Sequence, residues 1–167
     1  MHTGLYVVMG VSGSGKTVIG TAFARALGVE FVEGDDYHPA ENVRLMAAGT
    51  PLTDENRAGW LEALAARLRV ASDSGSGLVM SCSALKRKYR DVLRRGAPAV
   101  RLVYLKGTQE LIARRMTTRR GHFMPPALLA SQFATLEEPA PDEGAWICDV
   151  TESPEEIVAS LVKRAAE

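Results

Sequence analysis

The sequence predicts one α/β domain, a five-stranded parallel sheet with helices on both faces. Three observations predict it. Five short apolar segments recur along the chain, segments of helical periodicity separate them, and a glycine-rich phosphate-binding pattern joins the first strand to the first helix. Parallel strands require long crossovers, which the helices supply. At 167 residues, 46% hydrophobic and 24% charged, the chain has material for one core and excludes two independent catalytic domains.

Leu5 to Met9 is apolar on both faces, as a buried central strand must be. Val18 to Leu27 carries a helical stripe through Ile19, Ala22, Phe23 and Ala26, and Gly28 stops it. Val29 to Glu33 is the second strand. Helical pattern returns over Ala40 to Met46 and Asp54 to Val70, on either side of the Gly49-Thr50-Pro51 turn, and the acidic Asp54-Glu55 suits a helix start.

Ala71 to Gly77 is rich in Ser and Gly and is expected as a surface loop. Leu78 to Ser81 follows as a strand, then a basic helix from about Leu85 to Arg94, then a strand from Val100 to Leu105. Thr108 to Arg119 is helical, Pro125-Pro126 open a segment containing Leu128, Leu129, Phe133 and Leu136, and Trp146 to Val150 is the last strand. Ser153 and Pro154 read as N-cap and first residue of a final helix through Ile157 and Leu161.

Gly10-Val11-Ser12-Gly13-Ser14-Gly15-Lys16-Thr17 matches G-x-x-x-x-G-K-[ST] in full, between a buried strand and a helix. The glycines let backbone N–H groups curl round phosphate oxygens, the helix N-terminus adds positive field, and Lys16 reaches the outer phosphates. Thr17 is the Mg2+ ligand in this pattern. The loop specifies a nucleoside triphosphate and leaves the reaction open, because kinases and triphosphatases share it.

Glu33-Gly34-Asp35-Asp36-Tyr37-His38-Pro39 follows the second strand, at the sheet edge where open α/β folds build sites. A carboxylate there can orient a hydroxyl and accept its proton; the same residues would also make a solvated turn. Arg57 is the candidate for pairing with an anionic acceptor through two parallel hydrogen bonds. Arg114 to Pro126 holds four arginines and few core anchors, and reads either as a cover over the phosphates, with Arg119 meeting developing charge, or as a charged helix end and loop. Trp60, Trp146 and Phe133 read as core residues.

Twenty basic residues balance twenty acidic ones, which argues against nucleic acid or anionic membrane as the main partner. The apolar run Leu5 to Val11 is far shorter than the roughly 20 residues of a membrane span, and no signal peptide is read, so the expected location is cytoplasmic. Cys82 and Cys148 are expected in or near the core, without a disulfide or zinc role.

Several separated motifs together resemble the small P-loop type of bacterial gluconate kinase, over nearly the whole chain. They are the phosphate loop, Gly34 to Pro39 with Asn42 and Met46, Gly49 to Asp54 with Arg57 and Trp60-Leu61, Cys82 to Lys86 with Tyr89-Arg90 and Leu93-Arg94, Gly121-His122-Phe123, and Ser131-Gln132-Phe133 with Leu136 to Pro139. The resemblance implies transfer of the γ-phosphoryl of ATP to the 6-hydroxyl of D-gluconate with Mg2+, and commonly a homodimer. It also implies a three-layer fold like that of nucleoside monophosphate kinases, with sheet order 2-3-1-4-5, a substrate-binding region over 37–75 and a short lid over 116–127 within the single domain 1–167.

By the same resemblance Asp35 looks like the hydroxyl-orienting base, with His38 and Arg57 on the acceptor side and Lys86, Arg90 and Gln132 as acceptor or closure residues. Arg115 looks placed against adenine, Arg119 at the transferring phosphoryl, and the turn from Asp149 to Pro154 beside the base. Either Glu33 or Asp35 would assist Mg2+, and the shares of Asp35 and Asp36 stay open. Shikimate kinase or nucleoside monophosphate kinase activity is the nearest alternative, argued against by His38-Pro39 and by Cys82 to Arg90. A non-catalytic ATP-binding regulatory module is the alternative from another class.

Overall fold

The computed structural model describes residues 2–118 and 126–167. Among them five strands form one parallel sheet: β1 (Leu5–Met9), β2 (Glu30–Glu33), β3 (Leu78–Ser81), β4 (Arg101–Lys106) and β5 (Trp146–Asp149), in the order β2-β3-β1-β4-β5. This is the expected order. The helices are α1 (Lys16–Leu27), α2 (Ala40–Ala47), α3 (Asp54–Ser74), α4 (Arg87–Gly96), α5 (Gln109–Thr118), α6 (Pro126–Thr135) and α7 (Pro154–Ala165).

Alternation along β1 divides the core into two layers. Leu5, Val7 and Met9 pack with Trp60, Leu64 and Leu68 of α3 and with Leu93 of α4; Tyr6 and Val8 pack with Ile19 and Phe23 of α1 and with Ile157 and Leu161 of α7. Helices therefore cover both faces, and the C-terminal ends of the strands are left to the connecting loops. Cys82 and Cys148 are buried free thiols, as expected of core cysteines. Among the described residues no helix is long and apolar enough to cross a membrane.

The ends of α7 and α1 follow the sequence signals. Ser153 Oγ accepts from the Glu156 amide at 3.1 Å, and Gly28 closes α1 with φ 72°. The stretch from Ala71 to Gly77 departs from expectation. Helix α3 continues through Ser74 because Ala71, 2% exposed, extends its buried stripe by one more turn. Ser72, Asp73 and Ser74 lie on the solvent side, Ser74 Oγ donates back to Val70 O at 2.9 Å, and the left-handed Gly75 ends the helix.

Candidate active site

β1 runs into the phosphate loop, and α1 begins at Lys16 instead of Val18, so the loop leads directly into the helix N-terminus. Gly15 is the N-cap at φ 100°, a conformation that side chains other than glycine rarely adopt. Lys16 Nζ donates to Gly10 O (3.1 Å) and Val11 O (3.0 Å), which folds the side chain over its own loop. Burial pulls the Lys16 ammonium below its ordinary range, opposed by the carboxylate charges of Asp35 and Glu33. Ser14 Oγ is buried with no hydrogen-bond partner among the described residues.

Thr17 Oγ1 donates to Glu33 Oε2 at 2.5 Å, while Ser81 Oγ donates to Glu33 Oε1 at 2.5 Å. A helix-terminal hydroxyl and an oriented carboxylate are hard oxygen donors, the kind that suits Mg2+. Among the described residues no group of three or more His, Cys, Asp and Glu could cage a metal. Mg2+ seldom needs one, since phosphates and water complete its shell.

Gly34 places the acidic turn against β3. A Cβ there would stand 2.0 Å from Ser81 O, so only glycine fits. Its N–H donates to Ser81 Oγ (3.1 Å) and its carbonyl accepts from Trp60 Nε1 (2.8 Å). The 3-10 turn Gly34–Tyr37 is thus tied to β3 and α3, and presents Asp35 and His38 to a cleft that Ser12, Lys16, Arg57 and Gln132 also line.

Gln132 on α6 links the two sides of that cleft: its Oε1 accepts from the Ser12 amide at 2.7 Å and its Nε2 donates to Ser12 Oγ at 3.2 Å. Arg57 Nη1 donates to Tyr89 Oη at 2.9 Å, and the guanidinium carbon lies 5.3 Å from the Tyr89 ring centre. Tyr89 Oη in turn donates to Asp54, which also pairs with Lys86 and Lys88. Hydrogen bonds from Lys88 and Tyr89 hold the Asp54 carboxyl well below the usual carboxylate range.

A second cleft lies on the other side of the phosphate loop. It is lined by Gly13, Gly15, Val18, Arg115 and Thr151 to Pro154. The loop therefore belongs to both clefts, with Ser12 and Lys16 facing one and Gly13 to Gly15 the other.

Two acceptor-side expectations change. Arg90 does not reach the cleft: its side chain is fully buried, its Nε and Nη2 pair with Glu143 and its Nη1 donates to Ala84 O at 2.9 Å. Its role here is to hold the backbone behind Ser83 and Leu85, which do line the cleft. Lys86 is turned to Asp54 (3.3 Å) and does not line the cleft. Arg119 lies outside the described residues, as do Gly121, His122 and Phe123.

Sequence reasoning placed Trp60 in the core, where it is 2% exposed, and missed that it also walls the cleft. Its ring stacks on His38 with centroids 4.0 Å apart and an interplanar angle of 16°. Asn42, 2% exposed, carries no local signal of a site role in the sequence; its amide reaches both His38 and the Asn56 carbonyl. Cys82 stands near Lys16 and Asp35, but burial pushes its thiol up to about 12, so it stays protonated and is no nucleophile.

The family described as AAA domain matches residues 5–139. A thermosensitive gluconokinase of Escherichia coli strain K12 is 50% identical over 139 residues, which is 83% of this chain and 74% of that one. A thermoresistant gluconokinase of the same organism is 41% identical over 160 residues, covering 95% and 91% of the two chains. The chain belongs to the gluconokinase family.

Solved structures agree with that membership. A gluconokinase from Sinorhizobium meliloti 1021 superposes with a TM-score of 0.90 at 47% identity, over 98% of this chain and 92% of that one. A shikimate kinase from Bacteroides thetaiotaomicron, at 20% identity and a TM-score of 0.68 over 98% and 99% of the chains, shares the fold alone.

Proposed function

We propose that this chain transfers the γ-phosphoryl group of ATP to the 6-hydroxyl of D-gluconate, giving 6-phospho-D-gluconate and ADP. One observation carries the reading: a single phosphate loop faces two clefts, and the cleft that Ser12 and Lys16 enter also holds a carboxylate, an imidazole and an arginine. An acceptor carrying both hydroxyls and a carboxylate fits that set.

In this reading Arg57 binds the acceptor carboxylate, fixed by Tyr89, while His38 and Asp35 orient hydroxyl groups. The acceptor oxygen forms a bond to γ-phosphorus as the bond from γ-phosphorus to the β,γ-bridging oxygen breaks, and the hydroxyl proton passes to Asp35. Lys16, the loop amides and the α1 N-terminus neutralise charge on the phosphoryl oxygens, and Gln132 spans loop and acceptor. Thr17, with Glu33 behind it, would hold Mg2+, which supplies charge neutralisation at the β- and γ-phosphates. Arg115 and Pro154 border the adenine, and Arg119 serves a lid over 116–127.

The reading also treats residues 1–167 as one domain with a substrate-binding region over 37–75, and takes the protein as a cytoplasmic homodimer, which sedimentation equilibrium tests. The reaction is tested by ADP release with gluconate, shikimate and AMP as acceptors, with mass detection of the product. Gluconate-dependent release of 6-phosphogluconate is expected. Release only with shikimate or AMP, or ATP binding with no release at all, refutes the proposal in favour of one of its alternatives.

A further inference from the structure

We propose that Asn42 sets the tautomer of His38, keeping the imidazole proton on Nε2, so that His38 serves the acceptor cleft as a fixed hydrogen-bond donor and the proton-accepting role falls to Asp35.

The chain of contacts starts at a group whose role is unambiguous. The Asn56 carbonyl can only accept, so the Asn42 atom 2.8 Å from it is the amide nitrogen. That nitrogen also lies 3.1 Å from His38 Nδ1. An NH2 group has two hydrogens and does not accept, so its second hydrogen goes to Nδ1, which must present a lone pair. A neutral imidazole carries one N–H, and here that is Nε2. Turning the amide over would set two unprotonated oxygens 2.8 Å apart at a residue that is 2% exposed.

The surroundings allow neither partner to move. Asn56 is pinned by its capping box, its amide donating to Thr53 Oγ1 at 3.1 Å and its Oδ1 accepting from the Thr53 amide at 3.0 Å. The His38 side chain, 3% exposed, is stacked on Trp60, whose indole N–H is held by the Gly34 carbonyl. Nε2 lies 3.9 Å from Asp35 Oδ1, too far for a direct hydrogen bond, so its N–H is directed into the cleft that Asp35 and Arg57 share.

Two charges face the ring, and they oppose each other. Burial, the larger effect, and Arg57, from α3, disfavour the imidazolium; together they outweigh Asp35, on its own turn, which favours it, and keep His38 below the ordinary histidine range. His38 is therefore neutral near pH 7. A neutral Nε2–H can donate to an acceptor oxygen but cannot take the proton from the attacking hydroxyl. Asn42 acts through His38 and is a positioning residue.

The test has two arms. The tautomer is a property of the protein alone, whereas the kinetic arm rests on the gluconate reading above. In protein labelled with 15N-histidine, long-range 1H–15N correlation near neutral pH, with His38→Gln identifying the ring, is expected to show an unprotonated Nδ1 and a protonated Nε2. A protonated Nδ1 overturns the inference whatever the enzyme's activity. Asn42→Asp offers an acceptor where the amide donated, so it is expected to move protonation onto Nδ1. It should raise the gluconate KM about tenfold or more while the ATP KM stays within about twofold. In a His38→Gln background the same change should cost stability through the lost bond to Asn56 O but add less than about twofold to the gluconate KM, because its kinetic effect passes through the imidazole. An equal effect in both backgrounds overturns the inference, and if Asn42→Asp fails to fold, the wild-type spectrum still decides it. Wild-type protein inactive toward gluconate would refute the proposed function and leave the tautomer result standing.

Discussion

Gln132 Oε1 accepts the Ser12 amide hydrogen at 2.7 Å, joining α6 on the acceptor side to the phosphate loop through one side chain. The same residue donates to Ser12 Oγ, so Gln132→Leu removes both contacts at once. A hydrogen bond between neutral groups contributes about 0.5–1.5 kcal/mol, so losing two corresponds to roughly five- to hundredfold in rate. The expected outcome is a fall in kcat/KM of that size for both substrates. A loss confined to the gluconate KM would place Gln132 on the acceptor side alone.

Lys16 combines an unfavourable position with a functional one. Burial lowers its pKa, so at neutral pH keeping the ammonium charged costs folding stability. A side chain without that charge relieves the cost and abolishes the contact with the outer phosphates. Lys16→Met is expected to lower kcat by about a hundredfold or more while the melting temperature is unchanged or raised. A protein that loses stability and activity together would mean that the two bonds to Gly10 O and Val11 O hold the loop in shape.

Glu33 should matter through the metal and not through the fold. With Thr17 on one oxygen and Ser81 on the other, it is oriented at the N-terminus of α1. Glu33→Gln keeps the shape and removes the charge. The expected change is a rise of about tenfold in the free Mg2+ concentration giving half-maximal rate, with the gluconate KM unaffected. Equal Mg2+ titrations for wild type and variant would remove Glu33 and leave Thr17, with Asp35 as the remaining acidic candidate.

The sheet, its parallel sense and the phosphate loop were legible because each is written in contiguous residues: an apolar run, a glycine spacing, a helix stop. The extra turn of α3 was not. Ser72, Asp73 and Ser74 have loop composition, and only Ala71 against the core decides that they continue a helix. Arg90 was misplaced for a related reason. On α4 it looks like one more member of a basic run, and what takes it out of the cleft is Glu143, 53 positions away in the chain. Trp60 reads as a core residue, and nothing local to it announces that its indole N–H would fix Gly34 and its face would carry His38.

The Arg90–Glu143 pair makes its own prediction, on stability and on the cleft. Both side chains are almost wholly buried, and Arg94 adds a second contact to Glu143 at 3.1 Å. Burial pushes the Glu143 carboxyl up, but the hydrogen bonds from Arg90 and the Ala140 amide, with the Arg90 charge and a further bond from Arg94, outweigh it and leave the group at about 2. The folded value lies below the ordinary 4.5, so this stabilisation is present above pH 4.5 and is lost as pH falls toward about 2. Glu143→Gln leaves Arg90 buried without its countercharge and is expected to cost about 3–5 kcal/mol near neutral pH. Its urea midpoint should also depend less on pH than that of the wild type across that acid window. Arg90→Met with Glu143→Leu should recover part of the loss by removing both charges. That double variant still leaves Ala84 O without its arginine donor, so the gluconate KM should remain raised even where the urea midpoint has recovered. Recovery of both together would show that Arg90 stabilises the fold without shaping the Ser83 to Leu85 wall of the cleft.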